Sequence, residues 1–267
     1  MLNTRGVERG SVFRGEATDR AVSETIGFVL VFSLVVSSVG IVYVVGFQGL
    51  TEARDGERVD NAERAFEVLA HSIEDLTRRG ASSRATEIRV ADAGIRAGQP
   101  VLINVTGDYD TDDPNSAEDF VTGNVSVTPI VYETTAGGDR VRYVNGAVLR
   151  GTDDGMAMRE PPNVVVDDNR TVIPIVQTSV FGTKRIDGST TVLVRTERTL
   201  SDVVIAERGT YDDVTVRMHT PNTDPWRRFL TAQGMTCSVP NEGTLRCNAE
   251  DVKRLSLVVY DVDVTFE

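Results

Sequence analysis

The sequence predicts an α+β protein, in which a long N-terminal membrane-spanning helix leads into an antiparallel, β-rich, sandwich-like domain outside the cytoplasm. Three observations carry this. Residues 26–50 form a run of 25 residues without a single charge. Directly after it, apolar residues recur at heptad spacing. From Arg84 onward the chain breaks into short alternating segments separated by turn residues.

The uncharged run reads IGFVLVFSLVVSSVGIVYVVGFQGL. As a helix it rises roughly 37 Å at 1.5 Å per residue, enough to cross a hydrocarbon core of about 30 Å. A buried core helix rarely stays uncharged for so long, so the partner expected for this segment is membrane lipid. Ser33, Ser37, Gly40 and Gly46 are small enough to admit a second helix at close range. A secretory signal fits less well, because its apolar region is shorter and ends in a small-residue cleavage site that Phe47-Gln48-Gly49-Leu50 does not supply.

Beyond the span, Val59, Ala62, Phe66, Leu69, Ile73 and Leu76 fall three or four residues apart with charges between them, the pattern of an amphipathic helix. No proline interrupts residues 21–79, and Gly80 begins a stop signal. A helix over 22–80 follows, with Gly46, Gly49 and Gly56 as hinge positions. Its apolar stripe serves either as a seam between subunits or as the face packed on the chain's own domain; the sequence leaves both open.

Residues 81–267 read as one β domain. Strands are expected at 86–91, 101–105, 123–133, 140–144, 147–150, 164–166, 170–177, 190–196, 201–207, 210–219 and 255–266. Asn145-Gly146 is a hairpin signal. Asp224-Pro225-Trp226 opens a short helix, with Asp224 as cap and Pro225 at the first helical position. Cys237 and Cys247 flank nine residues rich in turn formers, which in an oxidising compartment reads as a disulfide across a hairpin, against the alternative of two unrelated buried thiols.

Composition narrows the function. The formal charge is -12, with 40 Asp+Glu against 28 Lys+Arg, of which only Lys184 and Lys253 are lysine. Such a chain repels phosphate backbones, so no nucleic-acid partner is expected. His71 and His219 stand far apart, which leaves little for a zinc site or a histidine-based triad. Asp108, Asp110 and Asp112 alternate ahead of Asp119, but Asp113 occupies the place where a calcium loop needs glycine, so the stretch reads as a solvated loop. Gly137-Gly138-Asp139 and Gly151–Gly155 read as turns rather than phosphate loops. No catalytic residue, metal site or cofactor is assigned, and no enzymatic activity is expected.

Orientation rests on several weak signals that agree. Residues 1–21 carry a net charge of +1 and residues 52–80 a net of -3, a mild preference for the N-terminus inside. Asn104-Val105-Thr106, Asn124-Val125-Ser126 and Asn169-Arg170-Thr171 are glycosylation acceptor patterns, which belong outside the cell. With the cysteine pair, they place the C-terminal domain outside and the N-terminus in the cytoplasm.

At the start of the apolar run, Asp19-Arg20-Ala21-Val22-Ser23-Glu24-Thr25-Ile26-Gly27 resembles the processing site of archaeal type IV pilins and pilin-like proteins, those with a class III signal peptide. Halophilic members commonly read Arg-Ala-Val-Ser-Pro-Val-Ile-Gly there. Arg20, Ala21, Val22, Ser23, Ile26 and Gly27 match, whereas Glu24 and Thr25 replace Pro and Val. The low-lysine, acid-rich composition also resembles that of extreme halophiles. Asn145–Arg150, Met158–Pro162 and Trp226–Leu230 are similar to segments of haloarchaeal pilin-like membrane proteins.

The resemblance implies a cytoplasmic leader, residues 1–21, cut by a prepilin peptidase between Ala21 and Val22, with the hydrophobic helix retained. It implies homo- or hetero-oligomers formed through that helix, and a mass of 29.1 kDa with a large β domain suits a minor surface subunit better than a major repeating one. Glu24 becomes the third residue of the mature chain, placed either to pair with a neighbouring subunit's amino group or to sit in the first turn of a helix capped by Ser23. The competing expectation is a permanently anchored external domain that binds a surface glycan or an envelope protein without polymerising.

Overall fold

The computed structural model of the chain describes residues 16–109, 120–135, 138–152, 154–167 and 170–267. Two elements of secondary structure dominate it: one long apolar-to-amphipathic helix and one large β-sheet. The chain divides into two compact units, residues 1–56 and 57–267.

In the first unit the helix α1 (Glu16–Arg78) carries the uncharged run. It begins six residues before Val22, so Ser23 lies inside a helix and not at its cap. Gly46, Gly49 and Gly56 are helical throughout. The helix ends one residue before Arg79, and Gly80 takes the left-handed conformation (φ 75°) that the expected stop requires.

In the second unit the helical stripe is buried without exception: Val59, Ala62, Phe66, Leu69, Ile73 and Leu76 are all at most 2% exposed. They pack on β1 (Ser83–Ala97), β5 (Ile130–Thr134), β6 (Arg140–Val144) and β7 (Ala147–Thr152), through Ile88, Ile95, Tyr132, Val141 and Val148 among others. The stripe therefore packs on its own domain and is not free to form a seam. Ionic contacts fix the same face. Arg150 Nη1 donates to Asp60 Oδ1 and Glu63 Oε2, both at 2.6 Å, and Arg159 pairs with Glu63 at 3.3 Å. Arg58 meets Asp92 at 2.9 Å, where a bulge in β1 turns Asp92 outward with φ 49°.

The strands β2 (Val101–Tyr109), β3 (Phe120–Val121), β4 (Val125–Val127), β8 (Gly155–Glu160), β9 (Val165–Asp167), β10 (Arg170–Phe181), β11 (Arg185–His219), β12 (Thr236–Asn241) and β13 (Thr244–Phe266) complete a sheet of thirteen strands. Its main path runs β8-β7-β6-β5-β1-β11-β13-β10-β9, with β2 and β12 attached at β11 and β13. All pairs are antiparallel except β10 with β13. Such a series of short strands allows either a sandwich or one highly twisted sheet, and hydrogen bonds join every strand into one continuous sheet.

The reason lies in β11 and β13. Three expected strands, 190–196, 201–207 and 210–219, are a single strand of 35 residues whose ladder with β13 shifts register at Thr199, at Val204 and at Gly209-Thr210. The last strand likewise starts at Thr244 rather than Leu255. Bulges let so long a strand bend and twist, so the two strands serve two cores at once. One core lies under α1. The other gathers β2, β4, β10, the far ends of β11 and β13, and the helix α2 (Thr223–Ala232), around Trp226, Tyr211 and Leu257.

Smaller differences have local causes. The expected strand 123–133 is split at Thr128-Pro129, since proline has no N–H for the ladder. The turn expected at Gly151–Gly155 is a hairpin whose outgoing arm is β8. The cap of α2 is Asn222 and not Asp224; the Asp224 carboxylate instead accepts from Arg227 at 2.8 Å. The Asn145-Gly146 turn has φ values of 49° and 82°, and Asn145 Oδ1 accepts from the Val176 amide at 2.8 Å, pinning the hairpin tip to β10.

Candidate membrane anchor and processing region

Residues 24–47 form 24 residues of α1 that are long and apolar enough to cross a membrane, and none of that segment is buried in the protein. Its large side chains are open on every side: Phe28 is 69% exposed, Leu34 69% and Tyr43 71%. A helix apolar all round needs a partner other than water, either lipid or other helices. Ser38 donates to the Leu34 carbonyl at 2.5 Å, so this hydroxyl is satisfied within the helix.

Glu24 sits at the N-terminal boundary of this segment and is exposed. Arg20, Ala21 and Val22 lie upstream in the helical part of the chain that begins at Glu16. Residues 1–15 of the expected leader lie outside the described residues.

In the second unit, Cys237 and Cys247 face each other on β12 and β13 and form a disulfide (S–S 2.04 Å, Cα–Cα 4.1 Å). The hairpin turns through Glu242 and Gly243, the latter with φ 74°. Cys247 is fully buried in the core that holds Trp226, so the bond ties a surface arm to the interior.

The acceptor sites differ in presentation. Asn124 and Ser126 are exposed at the start of β4. Asn104 lies inside β2, where its Nδ2 donates to the Gly123 carbonyl at 3.0 Å and its companion Thr106 is buried. Asn169 lies outside the described residues, as do Asp110, Asp112, Asp113, Asp119 and Gly137.

His71 Nδ1 donates to the Glu67 carbonyl at 2.8 Å, and His219 Nδ1 meets Thr244 Oγ1 at 3.3 Å on another element. Among the described residues no group of three or more His, Cys, Asp or Glu is placed to hold a metal ion. Sequence reasoning missed two features that only tertiary pairing creates. One is a cleft of about 260 Å³ lined by Thr77, Arg78, Val172, Pro174, Val258 and Tyr260. The other is the carboxylate Glu133 held by two arginines, Arg140 (2.6 Å) and Arg96 (3.1 Å). Burial raises the Glu133 pKa, but the hydrogen bonds and charges of Arg140 and Arg96 outweigh it and leave the carboxyl below its usual range. No local pattern signalled either, because Arg96 and Glu133, and the segments that line the cleft, lie far apart in the chain.

Comparison with curated proteins finds no match, and comparison with solved structures finds none. One family matches residues 20–265, from the last arginine before the apolar helix to the end of β13. The chain belongs to that family, a family of unknown function (DUF7289).

Proposed function

We propose that this protein is a membrane-anchored, pilin-like surface subunit of a non-catalytic kind. The observation that carries the reading is the helix over residues 24–47, apolar on all sides and exposed along its whole length. Lipid covers such a surface in the single subunit, and neighbouring helices cover it in an assembly. In this reading a prepilin peptidase removes residues 1–21 at the cytoplasmic side, the helix stays with its β domain, and that domain faces outward. The Cys237–Cys247 disulfide supports the outward placement, since such bonds persist in oxidising compartments. Similarity of Arg20–Gly27 to the pilin processing site, and of the composition to halophilic proteins, supports the class.

The second reading, an anchored domain that binds a surface glycan or envelope protein without polymerising, has an observation of its own. The heptad stripe is buried in the domain, which leaves only the membrane segment for contacts between helices.

Intact mass and N-terminal sequencing of the chain purified from membranes separate the two. A mature chain that begins at Val22 is expected. A membrane chain that still begins at Met1 overturns the pilin-like reading in favour of the anchored one, and a soluble chain with reduced thiols overturns both. Within the pilin-like reading, Glu24→Gln weakens assembly measured by crosslinking if Glu24 pairs with a neighbouring amino group. Unchanged assembly assigns it to the first helical turn alone.

A further inference from the structure

The face of the sheet opposite α1 carries a cluster of arginines. Arg96, Val131 and Arg142 stand directly opposite one another on β1, β5 and β6, and Leu149 continues the row on β7. One step along, Glu133 stands opposite Arg140. Because side chains alternate along each strand, these groups point away from the helix that Arg150 and Val141 face. Arg96 and Arg142 are two strands apart, about 10 Å between backbones.

The pairing within this cluster is incomplete. Glu133 Oε1 accepts from Arg140 and Oε2 from Arg96, so both its oxygens are engaged. Beside them Asp187 accepts from Arg185 at 2.7 Å. Among the described residues, Arg96, Arg140 and Arg185 are thus each held by a carboxylate, in a chain whose overall charge is -12. Arg142 is the one left over. Its Nη1 donates to Asn222 Oδ1, a neutral acceptor, at 2.8 Å, and its Nε is buried with no hydrogen-bond partner among the described residues. Burial first, then repulsion from Arg96 and Arg140, lowers the Arg142 pKa against the pull of Glu133. A half-buried cation without a counter-charge is costly, and each buried donor left unpaired adds about 1–3 kcal/mol.

We infer that Arg142, backed by Arg96 and Arg140, binds a small oxyanion, a sulfate, phosphate or carboxylate group, which supplies the missing negative charge. The forked N–H groups of a guanidinium match the paired oxygens of such anions and not a spherical halide. Asn222 bounds the site at the start of α2, and Trp226 follows one turn later on the same side of that helix. This site is independent of whether the leader is cleaved or filaments form.

Trp226, the only tryptophan, provides the readout. The full chain in detergent micelles is titrated with sodium sulfate while sodium chloride holds the ionic strength constant, and Trp226 emission is followed. Parallel titrations with phosphate and acetate identify which group binds tightest. A saturable response is expected for the wild type. Arg142→Gln weakens it by about tenfold, the size expected for one charged hydrogen bond, and Arg96→Gln by about threefold. Both variants keep the far-UV circular dichroism of the parent. A linear response without saturation, an equal response to chloride alone, or an Arg142→Gln titration that matches the wild type overturns the inference. Should Arg142→Gln fail to fold, an unchanged affinity in Arg96→Gln overturns it equally.

Discussion

Truncating Phe66 tests whether the helical stripe stabilises the domain or joins subunits. Phe66 is fully buried between α1 and the sheet, in the core with Leu69, Ile88 and Tyr132, whereas Val68, two residues on, is 56% exposed. Phe66→Ala removes a whole aromatic ring from a packed site, which costs about 3–5 kcal/mol from lost burial and the cavity left behind. Val68→Ala removes two exposed methyl groups and stays within about 0.5 kcal/mol. With a urea slope of about 3 kcal/mol/M for a domain of this size, Phe66→Ala lowers the midpoint by roughly 1–1.7 M and Val68→Ala by under 0.2 M. Urea unfolding of the full chain in detergent, followed by Trp226 fluorescence, measures both. Trp226 lies in the other core, so its emission also reports whether the two cores unfold together. The reasoning fails if Phe66→Ala leaves the midpoint within 0.3 M while the oligomeric state changes, since Phe66 would then serve contacts between subunits.

Three further outcomes follow from the same geometry. Replacing both Cys237 and Cys247 by Ser costs about 2.7 kcal/mol by the loop-entropy relation for a separation of ten residues, read as a lower urea midpoint that reductant reproduces in the wild type. Glu63→Gln removes the charge shared by Arg150 and Arg159 at a carboxylate that is 15% exposed; a loss of about 1–2 kcal/mol is expected, smaller in Arg150→Gln, Glu63→Gln together than the sum of the single changes. Asp263 stands directly opposite Glu197 on neighbouring strands, and burial followed by repulsion from Glu197 and Asp261 raises its pKa. A raised carboxyl pKa means the charged form costs stability at neutral pH and that protonation on acidification relieves the cost. Asp263→Asn therefore stabilises the protein at pH 7 by a few tenths of a kcal/mol, and the gain disappears as pH falls through the folded-state pKa of Asp263. Thermal melts of both proteins between pH 7 and pH 3 check the sign.

The legible parts of the fold are those written in local periodicity. The uncharged run, the stripe from Val59 to Leu76 and the Asn145-Gly146 hairpin each follow from spacing within a dozen residues, and each is present. The cysteine pair was legible because its intervening segment is short enough for only a hairpin. What the sequence could not show is how far β11 runs. Thr199, exposed Leu200 and Ser201 follow a run of charged residues, so residues 197–200 look like a break, yet the ladder continues because β13 pairs with β11 from Val194 to His219. The strand β8 was hidden for a similar reason: Met156 and Met158 alternate with small and charged residues, and only pairing with β7 makes the segment a strand. The arginine cluster was illegible because Arg96, Glu133 and Arg142 meet through β1, β5 and β6, and no local pattern encodes that meeting. The helix start at Glu16 has no local signal of its own, since the charges of residues 16–20 suit a leader as well as a first turn.

The place of β13 in the sheet bears on the order of events during synthesis. It lies between β10 and β11, pairs with residues 171–181 on one side and 194–219 on the other, and also carries Cys247. Every strand it needs has already left the ribosome when it emerges, yet neither of them is complete without it. Until then the open edges of β10 and β11 are templates for mispairing, and contacts so distant in sequence form slowly. A cell making this protein in quantity therefore has to hold an unfinished sheet apart from its copies until β13 arrives.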